Sequence, residues 1–255
     1  MTGHVVDTVT VAISTLGMGV SRIQLPEPVA GIEYLILLQA PEESLAPRGT
    51  FRAERRADVR FVELPDRGLS RSRNAGLAYA HTDLVLFSDD DVTLEPEGIL
   101  TLRDHFVSDP NLALAAGWRR ERLPQAARKQ HLTRFNSGRI CAPEFMVRAS
   151  VVARLGVQFD LNFGLGAYYG VGEDYVFVSD ILHAGGRGVA LPVVTGSHPD
   201  VSTGEKWSDP RLLRARQAVI NRVFGSWALP VRFAYGMRHR RRFANFEQLF
   251  AFFWG

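Results

Sequence analysis

A single cysteine, Cys141, stands among 255 residues, so no disulfide can form within the chain. That fits a reducing compartment. No run approaches the roughly 18 apolar residues expected of a membrane-spanning helix. The N-terminus has no basic region leading into a long apolar stretch, and Asp7 sits just before the first apolar segment. A secretory signal is therefore not expected, and the chain reads as cytoplasmic. Internal repeats and low-complexity tracts are also missing, which excludes solenoid and linker-like architectures. The net charge of +3 is small, and no nucleic-acid partner is expected. Its distribution is uneven, with acidic motifs in the middle and basic residues towards the C-terminal end.

What is present centres on Leu84-Val85-Leu86-Phe87-Ser88-Asp89-Asp90-Asp91-Val92. Four successive apolar residues read as a short strand buried on both faces. Three carboxylates cannot lie unpaired inside a sheet, so they belong where the strand leaves it. In open α/β folds that edge binds ligands. Extended chain would point Asp89 and Asp91 one way and Asp90 the other. Paired hard oxygen ligands suit Mg²⁺ or Mn²⁺. An acidic loop capping the helix near Glu95-Pro96-Glu97 is the plainer reading.

Strands are expected at Val9 to Thr15, Ile32 to Gln39 and Val59 to Leu64. Pro65-Asp66-Arg67-Gly68 is a turn cluster. Ser70 then fits an N-cap, with a helix from Arg71 to Tyr79. Arg73 and Asn74 would lie in its first turn, where free N–H groups and an arginine fork favour an anion. A surface ion pair is the alternative for Arg73. The alternation of strands and helices points to an α/β fold: a mostly parallel central sheet with helices on both faces.

Gly68-Leu69-Ser70-Arg71-Ser72-Arg73-Asn74-Ala75-Gly76-Leu77, followed by Asp83 to Asp91, resembles the family 2 glycosyltransferases of the GT-A fold. That family joins a helix start of this kind to a strand ending in an Asp-x-Asp motif. The resemblance covers roughly residues 9 to 200. Gly172-Glu173-Asp174 matches the family's Gly-Glu-Asp motif and opens a helix through Asp180 to Ala184, stopped by Gly185-Gly186. The resemblance implies that Asp174 is the catalytic base of an inverting enzyme. It implies metal ligands Asp91 and Asp89, with His198 a third, following the strand Gly188 to Val194. It implies a donor side comprising Thr15, Arg73, Asp89 and Asp90. Two acids favoured by a helix dipole, and a plain loop histidine, are the alternatives for Glu173-Asp174 and His198.

Residues 134–140 and 144–147 look like a strand pair on the acceptor side. The loop from Phe159 to Gly172 is rich in glycine and aromatics, and suits a sugar-binding wall. Glu173, Tyr168 and Tyr169 are the acceptor-side candidates. One departure stands out. Many family members carry an Asp-rich turn after the second strand, and here the strand ends Gln39-Ala40-Pro41-Glu42-Glu43. The usual contact to the nucleotide base is thus missing, although a UDP-sugar is the donor the resemblance implies.

Beyond about Lys206 the character changes. Leu212 to Phe224 reads as an amphipathic helix. Arg238-His239-Arg240-Arg241-Arg242 precedes Phe243, Phe246, Leu249, Phe250, Phe253 and Trp254, spaced as one helical face. A basic cluster beside an aromatic face suits an in-plane membrane helix at the inner face of the cytoplasmic membrane; packing on the catalytic domain is the alternative. The expected division is a catalytic domain at 1–205, with a nucleotide-sugar half to about 110 and an acceptor half to 205, and a helical segment at 206–255.

The expected function is metal-dependent, inverting sugar transfer from a nucleotide-sugar to a hydroxyl of a glycan or lipid-linked acceptor, in cell-surface polysaccharide synthesis. Two alternatives stay open. A nucleotidyltransferase of similar fold would carry a basic, glycine-rich loop after the first strand, and no basic residue follows here until Arg22. A non-catalytic sugar- or metal-binding module is the other.

Overall fold

The computed structural model describes residues 8–43, 56–198, 207 and 209–254. The first half builds the parallel part of one sheet: β1 (Val9–Leu16), β2 (Ile32–Gln39), β3 (Val59–Leu64) and β4 (Leu84–Asp89). The edge strand β3 pairs with β2, β2 with β1, and β1 with β4, all parallel. Alternation along β1 and β4 feeds two cores. Val9, Val11, Ile13, Leu84 and Leu86 face one side, and Ala12, Val85 and Phe87 the other. This is why β4 reads as an unbroken apolar run: a strand covered on both faces has no polar side to show.

The second half is mixed. Two-residue β5 (Thr93–Leu94), β6 (Leu112–Arg119), β7 (Gln130–His131), β8 (Phe145–Arg148) and β9 (Arg187–Ser197) complete the sheet. The order is β3-β2-β1-β4-β8-β6-β9-β5, with β7 on β9. β8 runs antiparallel between β4 and β6, while β6 and β9 are parallel. The sheet is therefore parallel on the β1 side and mixed on the β8 side. Residues 134–140 form turns, not the strand expected of them; β8 pairs with β4 and β6 instead.

Helices α1 (Leu69–Tyr79), α3 (Ala149–Arg154) and α4 (Glu173–His183) cover one face. Helix α2 (Pro96–Ser108) covers the other through Ile99, Leu102 and Phe106. α1 starts two residues earlier than expected. Gly68 occupies the cap position, and Ser70 lies inside the helix, its hydroxyl donating to the Phe163 carbonyl at 2.6 Å.

Helices α5 (Pro210–Phe224), α6 (Ala228–Arg238) and α7 (Phe246–Trp254) form a third core with α4. Leu213, Val219, Ile220, Val223, Leu249, Phe252 and Phe253 pack there with Phe163 and Val176. Arg222 of α5 also bonds Asp180 of α4 at 2.7 Å. The expected boundary at 205–206 lies outside the described residues. The expected single aromatic face is split by the structure. Leu249, Phe252 and Phe253 point inward, and Phe246, Phe250 and Trp254 outward. Residues 240–242 form a separate short turn between α6 and α7.

Candidate active site

The three aspartates after β4 leave the sheet edge in three directions, each towards a different partner. Asp90 turns under the loop that follows β1. Thr15 Oγ1 donates to its Oδ2 at 2.6 Å, and Arg22 Nη2 donates to its Oδ1 at 2.6 Å. Burial raises the Asp90 pKa; Thr15 and Arg22 act in the opposite sense. Gly19 makes this approach possible, because a Cβ there would stand 2.1 Å from Asp90 Oδ2. The Thr15 and Asp90 side chains expected on the donor side thus bond to each other.

Asp91 turns the other way. Its Oδ2 lies 3.3 Å from His198 Nε2 at the end of β9, and its side chain is 39% exposed. Among the described residues no group of three or more His, Cys, Asp or Glu is placed to hold a metal ion. The Asp91–His198 corner offers one oxygen and one nitrogen ligand at an open edge. Mg²⁺ and Mn²⁺ sites of this kind are completed by water and substrate phosphates, so the corner fits such an ion.

Asp89 faces Arg73. This arginine comes from α1, and its side chain is 1% exposed. Its Nη2 lies 3.2 Å from Asp89 Oδ1. Its Nη1 donates to Glu173 Oε1 at 2.9 Å and also to Asp174 Oδ1. Three carboxylates therefore converge on one guanidinium. Burial opposes the charge on Arg73, but Asp174, Asp89 and Glu173 outweigh it and hold the group protonated above its ordinary range. The guanidinium expected to face phosphate is in this structure bonded to carboxylates.

Glu173 and Asp174 open α4. Gly172 caps the helix at φ 101, a left-handed conformation suited to glycine. A Cβ there would also stand 2.2 Å from Val219 Cγ2 of α5. Asp174 is buried, and its Oδ2 accepts from the Ala142 backbone N–H at 3.1 Å. Burial pushes its pKa up to about 7, against the pull of Arg73, with Glu173 and Asp89 adding to the rise. A carboxylate so poised can take a proton near neutral pH.

The glycine-rich loop is tied to α1. The Leu69 N–H donates to the Leu165 carbonyl at 2.9 Å. Asn74 holds Phe159 by both its amide nitrogen and its amide oxygen. A Cβ on Gly164 would come 3.2 Å from Glu173 Cγ, so the loop passes directly over the acids. Tyr169 stacks on buried Phe163, and Tyr168 packs edge-on against Tyr169 while remaining 87% exposed.

Arg73, Asp89, Glu173 and Asp174 are thus joined in one network. Thr15 with Asp90, and Asp91 with His198, form two others. The Arg22–Asp90 contact and the Ala142 amide lay beyond the sequence reading. A backbone N–H carries no sequence signal. Arg22 ends a short 3₁₀ helix, Gly17–Arg22, that no periodicity in the sequence marks.

A sequence model of the family described as Glycosyl transferase family 2 matches residues 42–153. That stretch holds α1 and the Asp triplet but stops short of α4. No curated protein matches the chain. Among solved structures, residues 1–349 of S. aureus TarS share 13% identity at TM-score 0.57, over 86% of this chain and 66% of that one. The mannosyltransferase PcManGT from Pyrobaculum calidifontis, with GDP-Man and Mn²⁺, shares 18% identity at TM-score 0.55, over 90% of this chain and 64% of that one. Glucosyl-3-phosphoglycerate synthase from Mycobacterium tuberculosis, with Mg²⁺ and uridine-diphosphate, shares 14% identity at TM-score 0.52, over 85% and 79%. The fold is GT-A. In this GT-A chain, β1 to β4 and α1 carry the Asp triplet and Arg73, and the mixed half of the sheet brings α4 against them. The chain spans about two thirds of the TarS fragment it matches.

Proposed function

We propose that this protein is an inverting glycosyltransferase that moves a sugar from a nucleotide-sugar to an acceptor hydroxyl. The observation that carries the reading is Arg73, which ties Asp89 of the triplet to Glu173 and Asp174 of α4. Asp174 takes the proton from the acceptor hydroxyl as that oxygen attacks the anomeric carbon. Arg73 and the Ala142 amide hold the carboxylate in place for this. Asp89, on the far side of the same guanidinium, faces the donor ribose. Asp91 and His198 are the residues that would hold Mg²⁺ or Mn²⁺; when bound, such an ion neutralises charge on the departing diphosphate. Glu173 and the Tyr168–Tyr169 loop stand on the acceptor side. The relatives solved with UDP-GlcNAc, with GDP-Man and Mn²⁺, and with Mg²⁺ and uridine-diphosphate support this choice of donor and ion. The turn after β1, residues 17–22, carries one basic residue, and Arg22 is engaged by Asp90, which speaks against nucleotidyl transfer.

The acceptor is proposed to be a glycan or lipid-linked hydroxyl met at an anionic membrane surface. What supports this is the outer side of α6 and α7. Leu229, Phe233 and Met237 repeat along one exposed stripe, Phe246, Phe250 and Trp254 along another. The Phe233 ring lies 4.9 Å from that of Phe253, which brings α6 against α7. Exposed Arg238, Arg240, Arg241 and Arg242 adjoin them. Among the described residues no helix is long and apolar enough to cross a membrane. Such a surface rests in the headgroup region, with about 1 kcal/mol from each arginine near anionic lipid.

The test is release of nucleoside diphosphate from a panel of nucleotide-sugars with Mn²⁺, with and without hydroxyl acceptors. Acceptor-stimulated release that disappears with chelator and in Asp91→Ala supports the reading. Release of pyrophosphate instead, or no turnover of any donor, overturns it.

A further inference from the structure

The Asp91–His198 corner is assembled where three segments of the chain end. Asp91 lies two residues before Thr93 of β5, and His198 follows Ser197, the last residue of β9. Thr93 pairs with Ser197 and Leu94 with Gly196, antiparallel. This two-residue ladder brings the carboxylate and the imidazole together. Gly196 permits the approach, since a Cβ there would stand 2.9 Å from the Thr93 carbonyl oxygen. Beyond Ser197 the ladder no longer places the chain.

The third segment is the 3₁₀ turn Arg120–Arg122, which follows β6. β6 runs parallel to β9 as far as Arg119, opposite Gly196, so the turn emerges beside the end of β9. There the His198 backbone N–H donates to Glu121 Oε1 at 2.7 Å. The residue before it ties the same turn to the other strand. Arg120 Nη2 donates to Glu95 Oε1 at 2.5 Å, and the Glu95 N–H donates to the Thr195 carbonyl at 3.0 Å. The turn therefore holds both strands of the ladder that carries the corner, β5 through Glu95 and β9 through His198.

A carboxylate that accepts from a backbone N–H makes a stronger bond than a neutral acceptor, and it fixes the direction in which the side chain of that residue leaves the chain. The His198 side chain is 14% exposed, and its Nε2 lies 3.3 Å from Asp91 Oδ2. Two ligands serve one ion only if their donor atoms stay within about 0.5 Å of the required places. Among the described residues no third His, Cys, Asp or Glu joins them as a ligand, so Glu121 acts through the His198 backbone.

We propose that Glu121 is a positioning residue for this corner, an inference that rests on the metal-dependent transferase reading above. It sets the His198 backbone so that Nε2 and Asp91 Oδ2 face the same Mg²⁺ or Mn²⁺ ion. What the role requires of residue 121 is an acceptor oxygen, not a negative charge. Glutamine can supply that oxygen and alanine cannot.

Two measurements test this. Mn²⁺ is titrated into protein saturated with UDP and followed by the electron paramagnetic resonance of the free ion. Exchange of the His198 amide is followed by NMR in metal-free protein. Glu121→Ala should weaken Mn²⁺ binding about tenfold and speed the exchange at His198. Glu121→Gln should recover most of both. Asp91→Ala should lose Mn²⁺ binding while the His198 amide stays protected, which separates a ligand from the residue that positions one. Wild-type Mn²⁺ affinity in Glu121→Ala overturns the proposal. Equal losses in Glu121→Gln and Glu121→Ala overturn it too, because they assign Glu121 to ligation or to charge. So does unfolding of metal-free Glu121→Ala, which makes the contact a structural one. Failure of the wild type to bind Mn²⁺ removes the metal reading and the positioning role with it. Mn²⁺ binding that depends on Glu121, in a protein that releases no nucleoside diphosphate from any donor, leaves the positioning role standing and removes the transferase reading.

Discussion

Two buried clusters of opposite make-up each centre on one charged side chain. Among the described residues, one gathers Asp89, Glu173 and Asp174 on the cation Arg73, and the other gathers Arg119, Arg122 and Arg139 around the anion Glu144. Burial pushes the pKa of both Asp174 and Glu144 upward. The consequences differ because the company differs. Asp174 has carboxylate neighbours that add to the rise, so it can hold or release a proton near neutrality. Glu144 has arginines on every side that favour its charge, so it serves as a fixed anchor. An excess of acid around one buried guanidinium raises a carboxyl pKa, whereas arginines around one buried carboxylate oppose the rise that burial imposes.

The comparison breaks most severely at Arg73. Arg73→Leu leaves three acids without their shared partner, and a loss of about 3–5 kcal/mol is expected in denaturant unfolding at neutral pH. Retention of wild-type stability would show that the acids do not depend on the guanidinium.

Asp174→Asn keeps the shape and removes the base. The turnover should fall about 10²-fold or more, with UDP affinity nearly unchanged. In the wild type the working form is the ionised carboxylate, and its raised pKa places the change near pH 7. Activity should thus fall as pH drops through about 7. A rate profile flat from pH 6 to 8 would deny Asp174 this role.

Glu144→Gln tests the other cluster and should cost less, about 1–3 kcal/mol. Arg139 is half-buried and can recruit water, whereas Arg73 is enclosed and cannot. A loss as large as that of Arg73→Leu would erase the contrast.

The smallest effect is expected where arginines are not buried at all. Phe250→Ser with Arg241→Gln should leave stability within about 0.5 kcal/mol of wild type. It should reduce co-sedimentation with anionic vesicles, and salt should release the wild type only in part, since apolar contact is not screened. Equal sedimentation of variant and wild type would remove the membrane surface from the acceptor reading.

Legibility in the sequence followed the range of the forces involved. β2 and β3 occupy the residues expected of them, because their apolar runs end at turn formers. The Asp triplet at a sheet edge was legible for the same reason that it is unusual: a buried strand cannot continue into three charges. The helix at Glu173 was legible from its glycines on both sides. Residues 134–140 misled, because a few apolar residues between polar ones suit a turn as well as a strand. The C-terminal aromatics misled differently. Phe246 and Phe250 obey the same periodicity as Leu249 and Phe253, and only the position of α6 decides which of them is covered.

The sequence by itself determined the α/β class, the strands of the parallel half and the carboxylates that must sit at its edge, since each follows from local pattern and the cost of burying charge. Tertiary structure alone decided which charges meet. Arg73 lies 16 residues from Asp89 and 101 from Asp174, and Ala142 lies 32 from Asp174. No local preference links such positions; the crossover of β8 between β4 and β6, and the docking of α4 beside α1, bring them into contact.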